Sequence, residues 1–355
     1  MPKVVIAAGG TAGHVVPALA IAGELRERGI EVEFIGGERA EAELVPAAGY
    51  PLHTLHVEGI DRKNVLRAAR ALVLAAAATV RARRLLKRAG AGAVLGGGGY
   101  VAGPVGLAAR SLRLPLVLTE ADSHLGVTNR LLAPLAARVC LAFPVPGRGG
   151  SRYLVTGRPL PAAGSGSDRA AARARFELPA DGPCLLVFGG SLGARRLNHA
   201  ALDAFGRVAP CSVLHACGRR DHDELRARLD ELGSPPHYRL FPYIEPFADA
   251  IAAADLAASR AGGSVLELAA AGLPAILVPY PHATADHQTL NARHMEEAGA
   301  AVVVPDAKLD GPRLAREVAA LLGAPQRMAE MSNAARAAAR PDAAERIAGE
   351  LIALL

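Results

Sequence analysis

Short apolar runs alternate with longer amphipathic stretches from one end of the chain to the other. "KVVIAAGGTAGHVVPALAIAGEL", Lys3 to Leu25, reads as a strand, a glycine turn and a helix, and "CLLVFGGSLGARRLNHAALDAF", from Cys184, repeats the arrangement. Alternation of this kind predicts parallel sheets covered by helices, an α/β fold throughout. Both segments carry GG[ST]xG directly after the apolar run, beginning at Gly9 and at Gly189. The repeat predicts two Rossmann-like parallel-sheet domains. Open α/β sheets bind ligands at the carboxyl ends of their strands, so the two domains are expected to face each other across a cleft.

"TGRPLPAAGSGSD", Thr156 to Asp168, has the Pro, Gly, Ser and Ala content of a linker rather than a strand or helix. The expected organisation is one domain over residues 1–157 and a second over 158–340. The amphipathic segment in 341–355, "DAAERIAGELIALL", is expected to return and pack on the first domain. With 355 residues and 51% hydrophobic content the chain can bury cores of that number.

Composition narrows the class. No window reaches the roughly 18 uninterrupted apolar residues of a membrane span, and the first ten residues lack a signal-peptide pattern, which predicts a cytoplasmic protein. Cys140, Cys184, Cys211 and Cys217 form neither a CxxC pair nor a finger spacing and read as buried free thiols. The net charge of +6 is uneven: residues 1–155 hold 19 Lys and Arg against 11 Asp and Glu. This basic half calls for an anionic partner. With no Trp, six Tyr and seven Phe there is little to stack single-stranded nucleic acid. A lipid surface competes, and "NVLRAARALVLAAAATVRARRLLKRAG", Asn64 to Gly90, has the form of a basic amphipathic helix. An ordinary core-facing helix with a solvated basic end accounts for the same pattern.

The chemistry concentrates in the glycine loops. A helix N-terminus leaves unpaired backbone N–H groups and carries roughly half a positive charge, so a glycine-rich entry lets a phosphate approach closely. The second loop adds the Ser191 hydroxyl and the cations Arg195 and Arg196, a candidate pyrophosphate cradle. A third run, "GGGGYVAGPVG", Gly96 to Gly106, places Tyr100 at a loop tip. Tight strand-to-helix packing alone can also require such glycines. A dinucleotide dehydrogenase is the rival, since Ala8, Gly10 and Gly13 approximate GxGxxG and Glu38 lies near the end of the second strand. Thr11 and His14 stand in the turn, His14 either as a reactive group or as a surface residue.

"SRAGGSVLELAAAGLPAILVPYPHATADHQTLNA", Ser259 to Ala292, contains an SxxE pattern at Ser264 and Glu267. Glu267 is either a capping-box residue or a carboxylate accepting the two hydroxyls of a ribose. Asp286, His287, Gln288 and Asn291 follow as groups suited to a sugar ring. The one DxD string, Asp221 to Asp223, opens a helical segment where acids are expected as caps rather than metal ligands.

Together "GGTAGHVVPALA", "GGGGYVAGPVGLAA", "TEADSHLGVTNRLLA", "FGGSLGARRLN" and "SRAGGSVLELAAAGLPAILVPYP…DHQTLNA", in that order and spanning nearly the whole chain, resemble the MurG family. These are two-domain GT-B glycosyltransferases of peptidoglycan synthesis. The resemblance implies an inverting transfer of N-acetylglucosamine from UDP-N-acetylglucosamine to the 4-hydroxyl of lipid I, giving lipid II, with no metal or other cofactor. His14, whose unperturbed pKa near 6.5 suits proton transfer at neutral pH, is the first candidate for the catalytic base, with Asp122 and His124 as local alternatives created by the unusual "TEADSH" loop. Acceptor contacts are implied at Thr11, Gly13, Tyr100, Asp122 and Asn129. Contacts to UDP-N-acetylglucosamine are implied at Thr11, Ala12, Gly13, His14, Asn129, Arg158, Ser191, Gly193, Ile244, Glu267, Gln288 and Asn291. The implied partners are the cytoplasmic face of an anionic membrane, held peripherally through the helix from Asn64, and cell-wall synthesis proteins, with no nucleic acid. The chain departs from the family where "TEAD" stands for "HEQN", putting Ala121 and Asp122 in place of Gln and Asn. It departs again where "GRPLP" stands for "GNPVR", with Pro161 for an arginine that Arg158 can offset. The stretch from Arg260 to Glu267 is one residue shorter than is common. These departures bear on the acceptor more than on the nucleotide.

Overall fold

The computed structural model describes residues 2–57, 65–160, 168–190 and 193–355. It divides into two compact units, one of Met1–Ala162 with Pro341–Leu355 and the other of Ala163–Arg340.

Unit 1 runs β1 (Lys3–Ala7), α1 (Ala12–Glu27), β2 (Glu31–Gly36), α2 (Ala40–Ala47), β3 (Leu52–Thr54), α3 (Val65–Ala89), β4 (Ala93–Gly96), α4 (Ala102–Ser111), β5 (Leu116–Glu120), α5 (Val127–Leu132), β6 (Arg138–Leu141) and β7 (Tyr153–Val155). Its seven strands are all parallel in the order β3-β2-β1-β4-β5-β6-β7. Alternate residues of β1 enter opposite layers, as the two-residue period of a strand demands. Val4 and Ile6 pack with Val15, Ile21 and Leu25 of α1, while Val5 and Ala7 pack with Ala82 and Leu86 of α3 and Val105 and Ala109 of α4.

Unit 2 runs α6 (Arg169–Arg175), β8 (Cys184–Phe188), α7 (Arg195–Phe205), β9 (Ser212–Ala216), α8 (His222–Glu231), β10 (Tyr238–Phe241), α9 (Phe247–Ala253), β11 (Leu256–Ser259), α10 (Val265–Ala271), β12 (Ala275–Leu277), α11 (His287–Glu297), β13 (Ala301–Val303), α12 (Gly311–Leu322) and α13 (Pro325–Ala338). The six strands are again parallel, in the order β10-β9-β8-β11-β12-β13. The last helix, α14 (Ala343–Ile352), belongs to unit 1. Its Ile347, Ala348 and Leu351 share a core with α1, and Arg138 Nε donates to Glu350 at 2.9 Å.

In each sheet the chain reverses its direction of travel once, between β1 and β4 and between β8 and β11. Ligands of open α/β sheets bind outside the carboxyl ends of the strands at such a switch point. The loops there are the glycine-rich ones: 8–11 and 97–101 in unit 1, and in unit 2 260–264 together with the described ends, 189–190 and 193–194, of the connection from β8 to α7.

Two further features bear on function. Along α3 the side chains of Ala71, Ala78, Ala82 and Leu86 are buried, whereas Val73 is 70% and Val80 54% exposed. Among the described residues no helix is long and apolar enough to cross a membrane. The four cysteines are free and buried, and burial pushes the Cys140 and Cys184 thiols up to about 12. They are inert at neutral pH.

Candidate functional site

In unit 1 the turn between β1 and α1 brings Thr11, Gly13 and His14 together. Thr11 is the N-cap residue of α1, but its hydroxyl caps no backbone N–H; Thr11 Oγ1 instead lies 3.2 Å from His14 Nδ1. The His14 ring is half-buried in a slot opened by Gly98, whose φ is +93°; a Cβ there would lie 2.5 Å from His14 Cδ2. Burial lowers the His14 pKa below its ordinary 6.5, and the Arg158 guanidinium lowers it further against the opposing pull of Asp122 and Glu41. The imidazole is therefore neutral at neutral pH. Arg158 Nη2 donates to the Gly13 carbonyl at 3.2 Å, while its Nε is buried and meets no acceptor among the described residues. The Tyr100 ring lies over Gly10 with the Arg39 guanidinium on its face, 5.4 Å from the centroid. Burial, reinforced by the Glu41 carboxylate, raises the phenol pKa, so Tyr100 stays protonated.

Two residues that sequence reasoning did not single out hold these loops. Glu41, wholly buried in the first turn of α2, accepts the Gly10 N–H through Oε2 and the Gly37 N–H through Oε1, both at 2.8 Å. Glu120, the last residue of β5, accepts from the backbone N–H groups of Ala121 (3.0 Å), Asp122 (3.4 Å) and Gly126 (2.8 Å). Burial pushes its pKa up against those hydrogen bonds. Asn129 donates to the Thr119 carbonyl and to Glu120, each at 2.9 Å, and is buried. Its amide is thus turned into the protein, where it shapes the loop that carries Asp122 rather than offering donors to a ligand.

In unit 2, Ser191 lies outside the described residues, but the frame of its loop is clear. Gly193 has φ +72° and passes so close to the next loop that a Cβ would sit 2.2 Å from the Cys217 carbonyl oxygen. Ala194, the N-cap residue of α7, makes no side-chain cap bond among the described residues. Arg195 and Arg196, expected to cradle a pyrophosphate, are engaged elsewhere: Arg195 pairs with Glu224 at 3.0 Å and Arg196 with Asp306 at 3.4 Å. Below the loop runs a buried polar chain. Tyr238 Oη is 2.8 Å from His215 Nδ1, and His215 Nε2 is 3.1 Å from Asn198 Oδ1. Asn198 Nδ2 donates to the Cys217 carbonyl at 2.8 Å and to Asp221 at 2.9 Å. Burial lowers the His215 pKa to about 3, which fixes the ring as neutral. With Nε2–H donating to Asn198, the Tyr238 hydroxyl must donate to Nδ1, and the chain has one direction. Asp221 accepts from Asn198 and Arg220 and makes no side-chain cap on α8, so the capping role expected of the DxD string is not the one its first acid plays.

Of the remaining expected residues, Ser264, Glu267, Gln288 and Asn291 lie in the segments that follow β11 and β12. Ser264 sits at the N-cap of α10 with helical dihedrals and no side-chain cap bond, so the Ser264 half of the SxxE capping box is not formed. Glu267 is half-buried in the first turn of α10. Gln288 Oε1 accepts the Tyr280 N–H at 2.9 Å. Asn291 is fully buried and donates to the Ala261 carbonyl at 3.1 Å, which ties α11 to the Ala261–Ser264 turn rather than exposing the amide. Ile244 is buried in the connection from β10 to α9.

With this geometry the chain is similar to known proteins over its whole length. Residues 4–141 match the glycosyltransferase family 28 N-terminal domain and residues 184–347 the family 28 C-terminal domain. A Methylococcus capsulatus protein named UDP-N-acetylglucosamine–N-acetylmuramyl-(pentapeptide) pyrophosphoryl-undecaprenol N-acetylglucosamine transferase is 45% identical, covering 98% of this chain and 97% of its own. A Salinibacter ruber protein of the same name is 42% identical, covering 99% and 97%. Among solved structures, the Acinetobacter baumannii MurG crystal structure is 33% identical with a TM-score of 0.79, over 99% of this chain and 100% of that one.

Proposed function

The chain belongs to the family of UDP-N-acetylglucosamine–N-acetylmuramyl-(pentapeptide) pyrophosphoryl-undecaprenol N-acetylglucosamine transferases, and on that premise we propose how its two units divide the reaction. It is a glycosyltransferase that moves N-acetylglucosamine from UDP-N-acetylglucosamine to lipid I, yielding lipid II and UDP. The observation that carries this is the 45% identity with a transferase of that name, which spans 98% of the chain and so includes both glycine-loop units.

Unit 2 holds the donor. Its diphosphate lies at the loop after β8 and the start of α7, where the N-cap residue Ala194 has no capping side chain and the helix dipole favours an anion, and Glu267 accepts the ribose hydroxyls. Unit 1 presents the acceptor. The muramyl 4-hydroxyl attacks the anomeric carbon, the bond from that carbon to the diphosphate oxygen breaks with inversion, and UDP leaves with the electron pair. The hydroxyl proton passes to His14 Nε2. For that atom to carry a lone pair, His14 Nδ1–H must donate to Thr11 Oγ1, which the 3.2 Å separation supports. Arg158, with an unclaimed Nε–H, adds positive charge beside the helix start. We assign no metal to the step, because Asp221, the acid that a DxD site would need, is committed to Asn198 and Arg220.

Attachment to an anionic membrane surface on its cytoplasmic side is the further part of this reading. Val73 and Val80 on α3, Leu107 (49% exposed) on α4 and Leu131 (68%) on α5 stand out from unit 1, and the exposed Arg81, Arg83, Arg84, Lys87 and Arg88 follow along α3. Apolar area combined with basic charge is what an interfacial surface requires.

The test is UDP release from UDP-N-acetylglucosamine by the purified chain. Release should depend on added lipid I and persist in EDTA. Release without acceptor at the same rate would refute the transfer, and loss in EDTA would refute the metal-free step.

A further inference from the structure

Asp306 opens a short turn of 3-10 helix, Asp306–Lys308, on the way from β13 to α12. Leu309, which follows the turn, and Leu314 on α12 are buried in one core with Leu197 and Ala201 of α7, so this connection is docked beside α7. Seated there, the Asp306 carboxylate, only 15% exposed, meets guanidinium groups from two different elements. Its Oδ1 lies 2.6 Å from Nη1 of Arg260, the residue after β11, and its Oδ2 lies 3.4 Å from Nε of Arg196, the second residue of α7. Arg196 Nη1 also donates to the Asp306 carbonyl at 3.0 Å.

Both arginines are held from one side. Arg260 is buried, and its Nη1 makes all of its polar contacts: the ion pair with Asp306 and hydrogen bonds to the carbonyls of Val278 (3.2 Å) and Pro279 (3.3 Å). The Tyr280 ring packs on the same guanidinium, its centroid 5.4 Å from Cζ. Among the described residues no acceptor meets Arg260 Nε or Nη2, or Arg196 Nη2. Two cations share one carboxylate, so the three side chains sum to one positive charge. The planar guanidinium has fixed donor directions once one edge is tied, and its open edge matches the paired oxygens of a phosphate. A buried guanidinium without a counter-charge is costly, and the carboxylate removes that cost while leaving these donors uncommitted.

We infer that Asp306 is a positioning residue for the sugar nucleotide. It ties one edge of Arg260, and more loosely of Arg196, and so aims their remaining N–H groups at the diphosphate. This role rests on the donor site placed in unit 2 above. Asp306, itself an anion, touches neither phosphate.

The experiment measures UDP and uridine binding by calorimetry for the wild type, Asp306→Asn and Asp306→Ala, alone and combined with Arg260→Gln, together with the KM of each substrate. Asp306→Asn keeps the shape and removes the charge. It should raise the UDP Kd about tenfold, the scale of one charge-assisted hydrogen bond lost, and leave the uridine Kd unchanged, since uridine carries no phosphate. The KM for UDP-N-acetylglucosamine should rise in parallel while that for lipid I stays at the wild-type value. Combined with Arg260→Gln, Asp306→Asn should add little, because its effect passes mainly through that guanidinium. Asp306→Ala should weaken UDP at least as much; should it fail to fold, the Asn variant decides alone. A folded Asp306→Asn that binds UDP as tightly as the wild type, or more tightly, overturns the proposal. So does equal weakening of UDP and uridine, the mark of a residue that only maintains the fold, or full additivity with Arg260→Gln. Wild-type protein that binds no UDP would remove the donor site in unit 2 and this role with it. UDP binding that depends on Asp306 without transfer to lipid I would uphold Asp306 while removing the transferase reading.

Discussion

His14 is where residue chemistry meets function most directly. A positioned general base contributes on the order of 10² to 10⁴ in rate, so His14→Ala should lower kcat by that range while leaving the UDP-N-acetylglucosamine Kd near wild type. Wild-type turnover in that variant would remove His14 from the mechanism. The pH dependence follows from the direction of its shift. The base works when neutral, and a lowered pKa keeps it neutral to lower pH, so the acid limb of kcat/KM should lie below 6.5. Arg158 is the charge that pushes in this direction, so Arg158→Ala should move the limb upward; a shift to lower pH would refute the assignment. The sequence draws attention to His14 and Tyr100 because they stand in glycine loops, and to Arg158 only through the resemblance. Glu41, Glu120 and Asn198 could not. "RAEAELV" reads as an ordinary helix start, and the role of Glu41 exists only where the turns after β1 and β2 converge on it. Asn129 and Asn291 carry polar groups suited to a sugar, yet both are buried, and only the folded backbone reveals which carbonyls claim their amides.

Among elements, the strand–turn–helix repeat was legible because parallel strands buried on both faces read as continuous apolar runs, and "KVVIA" and "CLLVF" are such runs. Strand order was not, since any sequence of crossovers satisfies the same alternation; only the pairing of β1 with both β2 and β4 fixes the switch point. The α3 pattern admitted two readings, and the structure realises parts of both: an alanine-rich stripe against α4 and an outward face of valines ahead of basic residues. If that face meets lipid, Val73→Asp with Val80→Asp should abolish co-sedimentation with phosphatidylglycerol vesicles and leave the melting temperature unchanged. Retained sedimentation would show that another surface binds. For α14 the expectation concerns stability. Ile347 is fully buried between α14 and α1, and truncating such a side chain costs about 2–5 kcal/mol, so Ile347→Ala should lower the urea midpoint of unit 1 accordingly. An unchanged midpoint would mean that α14 contributes little to that core.

For the molecule as a whole, the duplicated architecture leaves chemistry to be divided by small asymmetries: in unit 1 the buried carboxyl group of Glu41 joining the turns after β1 and β2, and in unit 2 a buried polar chain from Tyr238 through the neutral His215 to the Asp221 carboxylate. The motif order along the chain carried the family membership, while the substitutions in "TEADSH" left the acceptor as the point most in need of experiment. Incubating the purified protein with radiolabelled UDP-N-acetylglucosamine and lipid I in detergent, then separating lipid-linked products, addresses that point. Label should appear in a lipid-linked disaccharide in amounts matching the UDP released. Label that remains wholly in the sugar nucleotide, or that passes to water or to another acceptor while lipid I is untouched, would mean that this chain is not a lipid I glycosyltransferase.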